Sequence, residues 1–156
     1  MKLEELNDAL AEIGPKIHPV MITDFEEELV TVLTFDVDVE ILLERDENRE
    51  LLVFVGTLGQ TPVRAEKEMM RILMQMNNLW GALGGLRFAL EEPGGDFVML
   101  WDLPYPSLTT ENLQNAIESF IDRIRFWRQV VADGRFESDD REIQEGDDNI
   151  DTMMRV

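Results

Sequence analysis

Hydrophobic positions recur along this chain with two different periods, and the switches between them mark the elements. Leu3, Leu6, Leu10 and Ile13 lie on one face of a helix over residues 2–14, with Glu4, Glu5, Asp8 and Glu12 around the rest. Gly14-Pro15 is the expected stop. The seam suits either docking on a core or a groove for a partner. Residues 16–28 hold no sustained period and read as irregular. From Leu29 to Leu43 the odd positions run Leu, Thr, Leu, Phe, Val, Val, Ile, Leu, while Thr34, Asp36, Asp38, Glu40 and Glu44 fall between them. That is a strand period with one apolar and one largely polar face. The run exceeds the usual ~5–6 residues of a strand, so it divides near Asp36-Val37 into two antiparallel strands. Leu51 to Leu58 is apolar on both parities, as befits a central strand buried on both faces.

The helical period returns after Thr61-Pro62, where threonine is placed to cap and proline to open the helix. Met69, Leu73, Met76 and Trp80 form one stripe, with Ile72 beside it. Met70 and Met74 form a second, about 100° away at ~3.6 residues per turn. One stripe can pack on a sheet. The second needs another cover, either deep burial within one chain or a second copy, and a twofold contact that uses the patch twice is favoured. Gly81, Gly84 and Gly85 break the helix, and Leu86, Phe88 and Leu90 resume a strand. Glu91-Glu92-Pro93-Gly94-Gly95-Asp96 is a strong turn signal, and Phe97 to Leu103 completes a hairpin. Thr109 caps a last, long helix with Leu113, Ile117, Phe120, Ile124, Trp127 and Val131 on one stripe and Gly134 as its stop. The fold class is therefore α+β: helix, three antiparallel strands, helix, β-hairpin, long helix. Residues 1–134 form the domain. Residues 135–156 form an acidic tail expected to be disordered, with either a solubilising or a partner-docking role.

Charge and chemistry narrow the function. The chain has 156 residues and a formal net charge of −19. Residues 133–156 carry nine acids and three arginines, so −6 of that charge sits there. So acidic a chain is a poor partner for nucleic acid or an anionic membrane surface. A nucleic-acid mimic would need ordered carboxylates along a phosphate-like path, and much of the acid falls in the tail. There is no cysteine, so thiolate nucleophiles and disulfides do not arise. His18 is the single histidine, beside Pro19, and reads as a surface residue. Asp36, Asp38, Glu40 and Glu47 have part of a calcium-loop spacing, but Ile41 stands where the sharp turn needs glycine. No nucleophile elbow or metal-ligand spacing is present, so neither catalysis nor a cofactor is expected. The acidic N-terminal stretch does not resemble a signal peptide, no apolar run approaches the ~20 residues of a membrane span, and a cytoplasmic protein is expected.

The order of elements, with the segments VGTLGQTP, LMQMNNLWGALGGLRFAL and DLPYPSLTTENLQNAIESFIDRIRFWRQ, resembles the class I type III secretion chaperones, the CesT- and SycE-like Tir chaperone family. The resemblance covers roughly residues 1–131. It implies a bacterial cytoplasmic homodimer with the second helix near the twofold axis and no ATPase activity of its own. Such chaperones hold the N-terminal region of a secreted virulence effector in extended form and deliver it to the secretion ATPase. Carried onto this sequence, Leu3, Leu6, Leu10, Ile13, Val30 and Val32 would face the client. Met70, Met74, Asn77 and Trp80 would form the dimer contact. The alternative is a regulatory protein of the same fold, YbjN-like or anti-activator-binding, that takes a folded partner.

Overall fold

A computed structural model describes residues 5–35 and 39–136. Leu3, the strand break at Asp36-Val37 and the tail beyond Phe136 lie outside the described residues. The elements in order are α1 (Glu5–Ile17), β1 (Met21–Phe25), β2 (Val30–Phe35), β3 (Val39–Asp46), β4 (Leu51–Gly59), α2 (Glu66–Asn78), β5 (Leu86–Leu90), β6 (Phe97–Pro104) and α3 (Thr110–Asp133). The six strands form one antiparallel sheet in the order β1-β2-β3-β4-β6-β5. The strands flanking Asp36-Val37 pair as expected, with Phe35 opposite Val39. β4 is central, between β3 and β6.

One row of paired residues crosses every strand: Ile22, Leu33, Ile41, Gly56, Met99, Phe88. Apart from Ile22, this face is covered, and its side chains join those of α1, α2 and α3 in one core. All six residues of the predicted α3 stripe are buried. Gly56 makes room for that helix. A Cβ there would lie 2.5 Å from Ile124 Cδ1 and 3.3 Å from Phe120 Cε1. Thr109 caps α3 by accepting the Asn112 N–H at 3.1 Å, and Gly134 ends it in the left-handed region at φ 68°. The opposite row, Thr23, Val32, Leu42, Val55, Leu100 and Arg87, is largely apolar. Its aliphatic members are only partly buried. No described helix contributes its buried side chains to that side.

Three local expectations are corrected. Residues 16–28 are not wholly irregular, because Met21–Phe25 pair with Val30–Thr34 as an additional edge strand. Its outer side is exposed, so no alternation of buried and polar positions marks it. The first helix does not stop at Gly14-Pro15. It continues to Ile17, which packs on the core one turn beyond Ile13, and that burial offsets the amide hydrogen bond lost at Pro15. It ends at His18, left-handed at φ 53°, whose N–H donates to the Gly14 carbonyl at 3.0 Å. Thr61 does not cap α2. Residues 63–65 form a 3₁₀ turn first, and the Thr61 hydroxyl is buried without a partner. The end of α3 presses here, since a Cβ on Gly134 would lie 2.7 Å from Ala65 Cβ and 3.2 Å from Thr61 Oγ1.

Candidate partner-binding site

Helix α2 lies along β5, the last strand of the sheet. Met69 and Leu73 are buried in the core. Asn77, one turn on from Leu73, faces the edge of β5 and completes its backbone pairing. The Phe88 N–H donates to Asn77 Oδ1 at 2.8 Å, and Asn77 Nδ2 donates to the Phe88 carbonyl at 2.9 Å. A side-chain amide thus does the work of a neighbouring strand, and one of the two sheet edges is closed at this point. Between α2 and the β5–β6 hairpin remains a largely apolar cavity of about 210 Å³, lined by Met70, Leu73, Met74 and Asn77 from the helix and Phe88, Ala89, Leu90 and Phe97 from the hairpin. Met74 at its rim is 73% exposed. The helix ends at Asn78, so Trp80 leaves the buried stripe on which its spacing placed it and is 61% exposed, next to exposed Leu79.

Strand β1 forms the other edge. No strand pairs with its outer side among the described residues. Val20, Met21, Ile22 and Phe25 are exposed, Val20 by 72%. The strand is fastened from its inner side by a polar cluster around Asp24. Arg45 donates to Asp24 Oδ1 at 2.9 Å, the Thr31 hydroxyl donates to the same oxygen at 2.7 Å, and Asn7 Nδ2 on α1 donates to Oδ2 at 3.1 Å. The Arg45 side chain is 7% exposed and Thr31 is fully buried. Partial burial alone would raise the Asp24 carboxyl; the hydrogen bonds from Thr31 and Asn7 and the charge of Arg45 outweigh it and hold it below its ordinary value. The cluster ties α1, β1, β2 and β3 together while leaving the outer backbone of β1 available.

The residues expected to meet a client are therefore differently placed. Leu6, Leu10 and Ile13 are buried in the core, Ile13 completely, so their seam holds α1 against α3 and the sheet and does not face outward. Val30 and Val32 are partly buried on the face that lacks helical cover. Met70 is partly buried in the α2 cavity, Met74 and Trp80 are exposed, and Asn77 is engaged with β5. Sequence reasoning missed the exposed apolar residues of β1. The run Val20-Met21-Ile22-Thr23, rich in strand formers, was the available signal. Among the described residues no group of three or more His, Cys, Asp or Glu is placed to hold a metal. No described helix is long and apolar enough to cross a membrane.

Among the described residues the sheet thus has one face packed under three helices, one edge closed at Asn77 and one edge with exposed apolar residues. Residues 22–128 match the model of the Tir chaperone protein (CesT) family. The chain belongs to that family. As a member it is a Tir-family chaperone. Solved structures share its fold. A chain of the ExsC–ExsE complex is similar with a TM-score of 0.69 and 22% identity, over 83% of this chain and 96% of that one. A chain of the HopA1–SchA chaperone–effector complex gives 0.60 and 18%, over 83% and 98%. The Yersinia pestis type III secretion chaperone SycH, in complex with a stable fragment of YscM2, gives 0.57 and 19%, over 77% and 97%. No curated protein sequence matches significantly.

Proposed function

We propose that this Tir-family chaperone acts in the bacterial cytoplasm as a homodimer. It holds the N-terminal region of a secreted effector in extended form, without ATP, and delivers it to the secretion ATPase. The observation that carries this reading is the open edge at β1. An extended client adds there as a further strand, its backbone satisfied by the outer groups of β1 and its side chains seated by Met21, Ile22 and Phe25. The partly covered face beyond it, with Val30 and Val32, continues the apolar surface. α1 contributes as a scaffold, since Leu6, Leu10 and Ile13 are spent on the core. The family membership and the likeness to chains from a chaperone–effector complex support the same reading.

The second copy is assigned to the α2 face. Met74 and Trp80 are the exposed anchors, Met70 lines the cavity behind them, and Asn77 keeps the helix on β5 so that they are presented outward. Hydrogen exchange of the protein purified with and without its client tests the arrangement. The client should slow exchange of the amides of residues 21–25. Protection confined to the α2 face, with β1 unchanged, would fit a folded regulator as partner and would overturn the strand-addition reading.

A further inference from the structure

The acids of this chain are unevenly spread. From residue 69 to residue 90 there is no aspartate or glutamate and only two arginines, in a chain with 33 acids and a net charge of −19. Arg87 is paired with Asp102 on β6, and Arg71 lies 3.6 Å from Glu68 one turn back. The exposed apolar residues of that stretch, Met74, Leu79 and Trp80, therefore stand among few charges. Two copies of so acidic a chain repel each other over most of their surface. They approach at least cost through this acid-free stretch. The centre of a protein–protein contact is likewise poor in charge and enriched in methionine and aromatic residues.

The cavity between α2 and the β5–β6 hairpin belongs to the same stretch, with exposed Met74 at its rim. At about 210 Å³ it has room for a whole side chain, since an apolar cavity of about 150 Å³ already holds a benzene molecule. Asn77 is the one polar residue of its lining, and both amide atoms of Asn77 are spent on the Phe88 backbone. An occupant carrying a polar group would give up its hydrogen bonds to water without replacement. The occupant that fits is therefore apolar and flexible. Trp80 meets this less well, because a buried indole N–H needs a partner and the residue lies beyond the helix end. Methionine has no donor, three rotatable bonds and a thioether that favours aromatic rings, and Phe88 and Phe97 line the cavity.

We propose that the α2 cavity of each copy is filled by Met74 of the other, so that the site is incomplete in a single chain. The side chain and the hollow are neighbours on one surface, and a twofold contact uses the same patch twice. An axis passing beside the rim therefore brings each Met74 to the mouth of the other copy's cavity. Leu79 and Trp80 border the contact and shield it from water. Such mutual filling rests on the α2 contact proposed above and names what completes it. It also fixes the chemistry of position 74, where an apolar side chain of methionine's length is required although the residue is 73% exposed in one chain.

Because Met74 is exposed, its substitution leaves the fold of one chain intact. Sedimentation of the full-length protein over a concentration series gives the dissociation constant of the dimer. Met74→Ala should raise it by about 30-fold or more, since the contact is lost twice. Met74→Leu, of similar volume, should raise it less. Uniformly isotope-labelled copies mixed with unlabelled copies should show, in an isotope-filtered spectrum, contacts from the Met74 methyl of one copy to the Phe88 and Phe97 rings of the other. Single chains at every concentration would overturn the α2 contact itself. Dimers that lack these filtered contacts, or whose dissociation constant ignores Met74→Ala, would overturn the mutual filling and leave the dimer standing. Cavity contacts that form only once a client is bound would assign the cavity to the client, and overturn it likewise.

Discussion

The two edges of the sheet meet the same physical problem and answer it differently. At β5 the Phe88 amide and carbonyl are paired by Asn77, and α2 lies alongside. At β1 the outer backbone is left available, and the strand is held through Asp24, Arg45, Thr31 and Asn7 on its inner face. Unpaired strand edges promote unwanted association. An edge kept open for a partner must therefore be anchored by something other than the pairing it lacks. Here the anchor is a polar cluster under the strand. Under the proposed function, the closed edge serves a different contact, made by helix side chains in place of backbone.

Substitutions at the two anchors should separate these roles. The largest effect is expected for Asn77→Ala, which strips both partners from a half-buried edge; denaturant unfolding should show a loss of about 2–4 kcal/mol, with faster exchange in β5 and unchanged exchange in β1. Arg45→Met leaves the Asp24 carboxylate without its cation. Its expected cost is about 1–3 kcal/mol, below that of a fully buried pair because Asp24 is partly exposed, and accelerated exchange should be confined to β1 and the start of α1. Acid should mimic this change more gently. Asp24 has its carboxyl lowered in the folded state from an ordinary 3.8, so its contribution is complete above that pH and is lost as pH falls through the lower folded value. Exchange at residues 21–25 should then rise below about pH 4 while the Asn77-closed edge, which has no titrating group in its pairing, holds. Met74→Glu should change stability by no more than about 0.5 kcal/mol, yet light scattering should show single chains if α2 carries the second copy. A protein that stays dimeric would remove that interface.

What was legible in the sequence follows from how strongly each period is enforced by burial. The whole of α3, from the Thr109 cap to the Gly134 stop, could be read directly, because one face is packed along 24 residues and both ends obey local rules. The paired strands β2 and β3 and the β5–β6 hairpin were legible for the same reason. β1 was not, because an exposed edge strand has no buried face to impose alternation. The Leu6, Leu10 and Ile13 seam was read correctly as one face of a helix. Its periodicity could not say whether that face meets the core or a client, and α3 decides the matter. Asn77 was assigned to a contact between copies on the family resemblance alone. Its pairing with Phe88 depends on the hairpin folding back to a position eleven residues away, which no spacing within the helix reveals.

The three tryptophans stand in three different surroundings, which turns the protein into its own optical reporter. Trp80 is water-exposed on the α2 face. Trp101 is wedged beside Phe120 under the Arg123 guanidinium, with its indole N–H donating to the Gly84 carbonyl at 2.8 Å. Trp127 is buried between Phe88 and Phe136. Variants that keep one indole at a time would give emission from the α2 face, the glycine-rich loop and the end of α3 separately. A blue shift of Trp80 on concentration would then be seen in a cuvette and assigned to its origin without a label.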